Sequence, residues 1–113
     1  MGTVTKIKNL LAQKIIILDG AFGTELQKKG LPSGVCPEKW CLDHPQLVQD
    51  LYRSYQKAGA QIVYTCTFGA NRFKLKQYGL QENTYQINVE LVRLAKQACG
   101  KDILVAGDIG PTG

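Results

Sequence analysis

Three short segments combine glycine with acidic or hydroxyl side chains, the residue types that bind small polar ligands. They are DGAFGT at 19–24, TCTFGAN at 65–71 and GDIGPTG at 107–113. The first is the most informative, because a carboxylate is followed by two glycines and by a Thr-Glu pair that can begin a helix. Asp19 can accept hydrogen bonds from a substrate ammonium, a charge-assisted contact that a low dielectric strengthens.

The backbone of the same segment can supply the opposite function. If Phe22, Gly23 and Thr24 open a helix, their N–H groups can bind a carboxylate at the positive end of the helix dipole. A cation-binding and an anion-binding feature so close together are what an α-amino acid requires. The alternative is that Asp19 caps the next helix and that the glycines only permit a tight turn.

Phosphate and nucleic acid are weaker candidates as ligands. The glycine spacing is G-x-x-G rather than G-x-G-x-x-G, and no lysine follows in the Walker position. The net charge is +5, from 14 basic and 9 acidic residues, but the basic residues are scattered and only 72–76 is dense. Because a nucleic-acid surface concentrates its charge on one face, we predict no nucleic-acid partner.

Each polar segment lies at the end of a predicted strand. The runs at 15–18, 62–65 and 103–106 are short, apolar and rich in β-branched residues, which is typical of strands in a parallel sheet. The run at 15–18 is expected to be buried on both faces. The sequence contains no hairpin signal between the runs.

Helical periodicity separates the strands. One helix is predicted from Pro45, which suits a first helical turn, to a stop at Gly59. A second is predicted from a cap at Asn83 or Thr84 to Gly100, and a shorter one over 72–78. The segment 30–43 contains Pro32, Gly34 and Pro37 and is expected to be irregular.

Strands that alternate with helices predict the α/β class with a parallel sheet. Ligands of such proteins bind at the carboxyl ends of the strands, in open sheets and in (β/α)8 barrels. The three polar segments are therefore expected to share one site. A full barrel needs about 250 residues, so residues 1–113 are predicted to be its N-terminal portion, about three βα units.

The composition indicates which class of protein and which cellular location to expect. Hydrophobic residues make up 44% of the chain, as in soluble globular proteins, and no run reaches the roughly 18 apolar residues that span a bilayer. No secretory signal is recognisable, so we expect a cytoplasmic protein without a membrane partner. The four cysteines form no CxxC and are expected to be free thiols; only Cys41 and His44 have a zinc-like spacing.

The segments LDGAFGTEL, HPQLVQDLYRSYQKAGAQIVYTCTFGANRFKL and GDIGPTG resemble, in order and spacing, the homocysteine S-methyltransferase family. The resemblance runs from about Ile15 to Gly113 and is greatest to the homocysteine-binding amino-terminal module of the cobalamin-dependent methionine synthase branch. It implies a (β/α)8 barrel that binds homocysteine and zinc. Zinc would lower the pKa of the homocysteine thiol, and the thiolate would attack a methyl donor, with methylcobalamin favoured over S-methylmethionine and betaine, to give methionine.

The resemblance also assigns site residues. Asp19 matches the acid that holds the substrate amino group, and the loop around the substrate carboxylate comprises Gly20, Ala21, Phe22, Gly23 and Thr24. Three further residues match positions that line or support the pocket: Thr67, Phe68 and Asp108. We assign no catalytic residue within the chain.

Departures from the family pattern shape the functional expectation. The zinc thiolates of the family come from later strands, and none of Cys36, Cys41, Cys66 and Cys99 matches one; Cys66 stands where the methionine synthase branch usually has asparagine. The chain is expected to be inactive alone and to need the remaining barrel and the cobalamin-binding regions as partners. The alternatives are a small α/β module that binds phosphate or a nucleotide, and a structural domain.

Overall fold

The computed structural model describes residues 2–13 and 15–113 and contains a small parallel sheet. Strands β1 (Ile62–Tyr64) and β2 (Leu104–Ala106) pair in parallel along their whole length. Leu18 adds an isolated parallel bridge to Ile62, so the segment before the first polar loop lies on the other side of β1. The predicted α/β class with parallel strands is confirmed. Met1 and Lys14, which the predicted domain 1–113 includes, lie outside the described residues.

The run at 15–18 differs from the buried strand that its composition predicts. Its backbone follows β1, and the N–H of Gln61 donates to the carbonyl of Ile17 at 2.8 Å, but β pairing is assigned at Leu18 alone. Ile15 is 87% exposed and Ile17 is 56% exposed. The prediction of burial on both faces is wrong, because no described element covers the outer side of this segment.

Most of the described chain is helical, and the helices follow and separate the strands in the sequence. Both long predicted helices and the short one are confirmed, and the structure adds one helix before residue 14 and another in the second half of 30–43. The bounds are α1 Thr3–Gln13, α2 Gly23–Lys28, α3 Pro37–Asp43, α4 Pro45–Lys57, α5 Arg72–Lys76 and α6 Thr84–Cys99, with a 3₁₀ turn at Gln81–Asn83 before α6. None of the described helices is long and apolar enough to cross a membrane.

Two of these helices depart from the sequence-based expectation. The segment 30–43 is not irregular throughout, because α3 occupies its second half. Pro37 stands in the first turn of α3, where its missing N–H would have no helical partner in any case. The exposed helix α1 was not predicted, and none of its residues is buried.

The hydrophobic core lies between α4, α6 and the inner face of the sheet. Helix α4 contributes one buried stripe and α6 another, and the central residue of β1, Val63, is fully buried between them and the rest of the cluster. The buried residues of the two helices are Val48, Leu51, Tyr52, Ile87, Leu91, Leu94, Ala95, Ala98 and Cys99. This packing holds the strands in position, and the polar segments begin where the strands end.

Candidate functional site

A cavity of about 560 Å³ lies at the carboxyl ends of the strands. Asp19, Cys66 and Asp108, one from each polar segment, line it together with residues of α3 and α5. The three segments therefore surround one cavity, which is the arrangement expected of ligand sites on parallel sheets.

Asp19 carries an unusual carboxylate. One oxygen, Oδ2, accepts a hydrogen bond from the Tyr64 N–H at 3.2 Å, whereas Oδ1 is buried without a partner among the described atoms. Burial raises the pKa of this carboxyl, the negative charge of Asp108 adds to the rise, and backbone N–H groups oppose it. A donor bound at Oδ1 would relieve this desolvation, and a cationic donor would do so best.

Asp19 does not cap the following helix. The residue at the N-cap of α2 is Phe22, and no side chain makes a cap hydrogen bond there. The Asp19 carboxylate instead reaches across to β1, through the bond from Tyr64. The alternative role that the sequence allowed for this residue is therefore excluded.

The loop after Asp19 is held in place by α4. The hydroxyl of Tyr55 donates to the carbonyl oxygen of Ala21, and the Phe22 ring packs at 4.9 Å between centroids against buried Tyr52. A Cβ at Gly20 would lie 3.2 Å from the Tyr55 ring, so glycine permits this close approach. Helix α2 begins at Gly23, within the segment whose residues can open a helix, but it has only six residues.

The sequence-predicted site residues divide into two groups. Those that line the cavity are Asp19, Gly20, Phe22, Gly23, Phe68 and Asp108, and those that do not are Ala21, Thr24 and Thr67. Ala21 contributes its carbonyl to the contact with α4, and Thr24 is exposed. Thr67 is buried beneath the cavity wall.

Two threonines join the ends of β1 and β2 in a closed ring of hydrogen bonds. The Asp108 N–H donates to Thr65 Oγ1 at 3.2 Å, and Thr67 Oγ1 donates to the Asp108 carbonyl at 2.7 Å. The two hydroxyls are 2.7 Å apart, and since that of Thr67 already donates, Thr65 must donate to it. Every group in the ring is satisfied, which holds the Asp108 backbone rigidly at the cavity.

Glu38 is the main site residue that is not among those predicted from the sequence. It is only 5% exposed, and it lines the cavity from the first turn of α3. Burial raises the pKa of its carboxyl, and the Gly69 N–H opposes the rise. The Pro-Glu pair that begins α3 was the available signal, but the segment was expected to be irregular.

The cavity wall is rich in negative charge. Asp19, Glu38 and Asp108 line it, and Lys74 is the one basic residue among its described lining. In their ionised forms, three carboxylates repel a phosphate and attract an ammonium. The charge therefore argues against the alternative of a phosphate- or nucleotide-binding module.

The cysteines do not supply a metal centre in the described part of the chain. All four are free thiols, as expected, and Cys41 Sγ lies 3.1 Å from Cys66 Sγ. His44 is directed at the Trp40 carbonyl and stacks on the Trp40 ring. Residues 2–13 and 15–113 contain no group of three His, Cys, Asp or Glu that could hold a metal ion, so they do not fit a zinc site.

The family model for homocysteine S-methyltransferases matches residues 16–113. Homocysteine S-methyltransferase of Escherichia coli is 33% identical over 113 residues, which covers 89% of this chain and 36% of that protein. Betaine–homocysteine S-methyltransferase 1 of Danio rerio is 33% identical over 110 residues, covering 94% of this chain and 28% of that protein. The chain thus spans about a third of the length of these curated relatives.

Solved structures give the same result. The metallated form of the homocysteine methyltransferase MmuM from Escherichia coli matches with a TM-score of 0.75 and 29% identity, over 93% of this chain and 41% of that chain. Its oxidized form matches with a TM-score of 0.79 and 28% identity, over 93% and 40% respectively. The chain therefore has an α/β fold similar to that of a homocysteine methyltransferase, with a cavity at the carboxyl ends of its parallel strands. The chain belongs to the homocysteine S-methyltransferase family.

Proposed function

We propose that this chain is the homocysteine-binding portion of an enzyme that transfers a methyl group to homocysteine and forms methionine. The observation that carries the proposal is the buried, unpartnered Oδ1 of Asp19 at the cavity. Burial of this oxygen destabilises the ionised carboxylate, and a bound ammonium would stabilise it. The proposal includes that residues 1–113 form about three βα units of a (β/α)8 barrel, with the rest of the site on the remaining barrel.

The chain's residues have distinct parts in this proposal. Asp19 accepts the substrate ammonium, and the cavity-lining residues of the following turn, Gly20, Phe22 and Gly23, offer backbone N–H groups to the substrate carboxylate. Ala21 and Thr24 belong to the same turn and support it from outside the cavity. Phe68, which is 60% exposed and lines the cavity, packs on the substrate chain. Thr67 and its hydrogen-bond ring position Asp108. These contacts hold the amino-acid end and leave the thiol free to be presented to the donor.

Zinc and the methyl carrier lie outside this arrangement. We propose zinc as the metal of the whole enzyme, with ligands outside residues 1–113, because the described residues hold no suitable group. Zinc bound to the homocysteine sulfur would supply a thiolate at neutral pH. We propose methylcobalamin as the donor, on the likeness of the segment GANRFKL to the methionine synthase branch.

The test measures recognition of the amino group. Homocysteine and 4-mercaptobutanoate, which lacks the amino group, are compared for binding to the protein and to its Asp19→Asn variant. Loss of one charge-assisted contact, about 1.5–3 kcal/mol, weakens homocysteine binding about 10- to 100-fold, and the preference over the analogue disappears. Equal loss for both ligands, or no loss for either, contradicts the role of Asp19.

Betaine is the second candidate for the methyl donor, and a separate experiment tests it. Relatives named betaine–homocysteine S-methyltransferase match 94% of the chain at up to 33% identity, which favours betaine as the alternative. Methylcobalamin, betaine and S-methylmethionine are offered in turn to the full-length protein with zinc and homocysteine. Methionine formed from betaine alone would overturn the cobalamin proposal and leave the homocysteine proposal intact.

A further inference from the structure

Two thiols from separate parts of the fold meet at the cavity wall. Cys41 belongs to α3, Cys66 follows β1, and their sulfur atoms are 3.1 Å apart although 25 positions separate them in the sequence. Neither thiol has a role in the proposed function. The contact is long-range, so the tertiary fold creates it.

The two thiols differ in access. Cys41 is fully buried, whereas Cys66 is only partly buried and lines the cavity. A small reagent that enters the cavity therefore meets Cys66 first. Cys41 lies directly behind it, where a resolving thiol must stand for a disulfide to form within the protein.

We propose that Cys41 and Cys66 form a reversible dithiol–disulfide pair at the cavity wall, with small disulfides of the glutathione class as the oxidant. The Cys66 thiolate attacks one sulfur of the oxidant, forms a mixed disulfide and releases one glutathione thiol. The Cys41 thiolate then attacks Cys66 Sγ and releases the second glutathione. Two electrons and two protons pass from the protein thiols to the oxidant, which leaves as two glutathione thiols.

The modification acts on the cavity. A disulfide bond is about 2.05 Å long, whereas the two sulfur atoms are 3.1 Å apart, so bond formation must draw the Cys41 and Cys66 side chains together. The bond also ties the end of β1 to the helix that carries Glu38, so two parts of the cavity wall become covalently joined. The proposal does not depend on which ligand the cavity binds.

Peptide mapping tests the pairing directly. The folded, reduced protein is equilibrated with glutathione disulfide, its remaining thiols are blocked with N-ethylmaleimide, and it is digested with trypsin. Cleavage after Lys29, Lys39, Arg53, Lys57, Arg72, Lys96 and Lys101 places each cysteine on its own peptide. The expected product joins peptide 40–53 to peptide 58–72 with the loss of two hydrogens, and dithiothreitol reverses it.

Matched variants and an unfolded sample complete the test. Cys36→Ser and Cys99→Ser keep the cross-link, and Cys66→Ser loses it. In urea the short loop between Cys36 and Cys41 closes more readily than the longer loop to Cys66, so the preferred partner of Cys41 changes on unfolding. A folded wild-type protein that yields Cys36–Cys41, or only glutathione adducts, overturns the proposal whether or not the variants fold.

Discussion

The two oxygens of the Asp19 carboxylate have different environments. One oxygen is fixed by the Tyr64 N–H, and the other is buried and unpartnered in the described structure. A buried polar atom left unsatisfied costs about 1–3 kcal/mol, so the fold is less stable than a neutral side chain would allow. Such a cost is common where a residue serves binding rather than stability.

We predict that Asp19→Asn stabilises the ligand-free protein at neutral pH. The raised pKa of Asp19 means that the folded state holds this proton more tightly than the unfolded state. The stability cost of the ionised carboxylate is therefore absent below the ordinary aspartate pKa of about 4, develops as the pH rises toward the raised pKa of the folded state, and is complete above that pKa. Urea unfolding should show a gain at pH 7 that vanishes toward pH 3.

The exposed Asp102 provides the matched control for this charge change. Asp102→Asn removes the same charge and should leave the free energy of unfolding within about 0.5 kcal/mol of the wild type at both pH values. Destabilisation by Asp19→Asn at pH 7 would show that the carboxylate supports the fold rather than the ligand.

Gly69 and Glu38 form a second residue-scale test. A Cβ at Gly69 would collide with Glu38 Oε1, whereas one at Gly107 would meet no described atom within 4 Å. Gly69→Ala should lower the free energy of unfolding by about 1–3 kcal/mol, as overpacked sites do, and Gly107→Ala should change it little. Thermal unfolding measures both, and the Gly69 penalty should shrink in a Glu38→Ala background. An equal penalty in that background contradicts the contact.

At the scale of elements, the short helices α3 and α5 carry cavity-lining residues, so the stability of these helices affects the position of those residues. Helix α5 has five residues and carries Lys74 into the cavity lining. The side chain of Asn71 caps it by accepting the Lys74 N–H at 2.9 Å. So short a helix has few internal hydrogen bonds, so its cap contributes much of its stability.

Two asparagines at helix N-termini make a matched pair. Asn71 makes a side-chain cap bond, whereas Asn83 at the N-cap of α6 makes none. We predict that Asn71→Ala costs about 1 kcal/mol of unfolding free energy and that Asn83→Ala stays within about 0.5 kcal/mol. Urea titrations distinguish them. A larger loss for Asn83→Ala would mean that α6 depends on a contact other than packing of its buried face.

At the scale of the whole molecule, the sheet has an apolar flank. Ile15 and Ile17 are exposed beside the segment that pairs with β1, and open apolar strand edges pair readily with other chains. We therefore predict that residues 1–113 on their own self-associate. Light scattering coupled to size-exclusion chromatography should give a mass that rises with concentration.

A lysine substitution locates the associating surface. Ile17→Lys should shift the 113-residue chain toward the monomer, because a charge on the edge opposes strand pairing. Ile109→Lys is the control, since Ile109 is 95% exposed but lies outside the strands, and it should leave the association unchanged. A monomer at all concentrations with a cooperative melting transition would contradict the prediction.

Local signals were sufficient for much of the fold. Pro45 and Gly100 bound the two long helices because their backbone preferences act within one turn. The runs at 62–65 and 103–106 were correctly predicted to form parallel strands, because short apolar runs rich in β-branched residues between helices are typical of buried parallel strands. Helix α3 was missed because the glycine and prolines of 30–43 also suit a loop, and only contacts with α4 and α6 select the helix.

The amino-acid sequence by itself determined the alternation of the two long helices with the strands at 62–65 and 103–106, the polar character of the three strand ends and the family, because these depend on residue types and their spacing along the chain. Only the tertiary structure decided that Glu38 joins Asp19 at the cavity, that Thr65 and Thr67 close a ring on Asp108, and that Cys41 meets Cys66. Burial also belongs to the tertiary structure, as the exposed run at 15–18 demonstrates. The reason is that burial and side-chain contacts depend on residues far apart in the chain. The local pattern of apolar and polar residues contains no information about which distant residues come together.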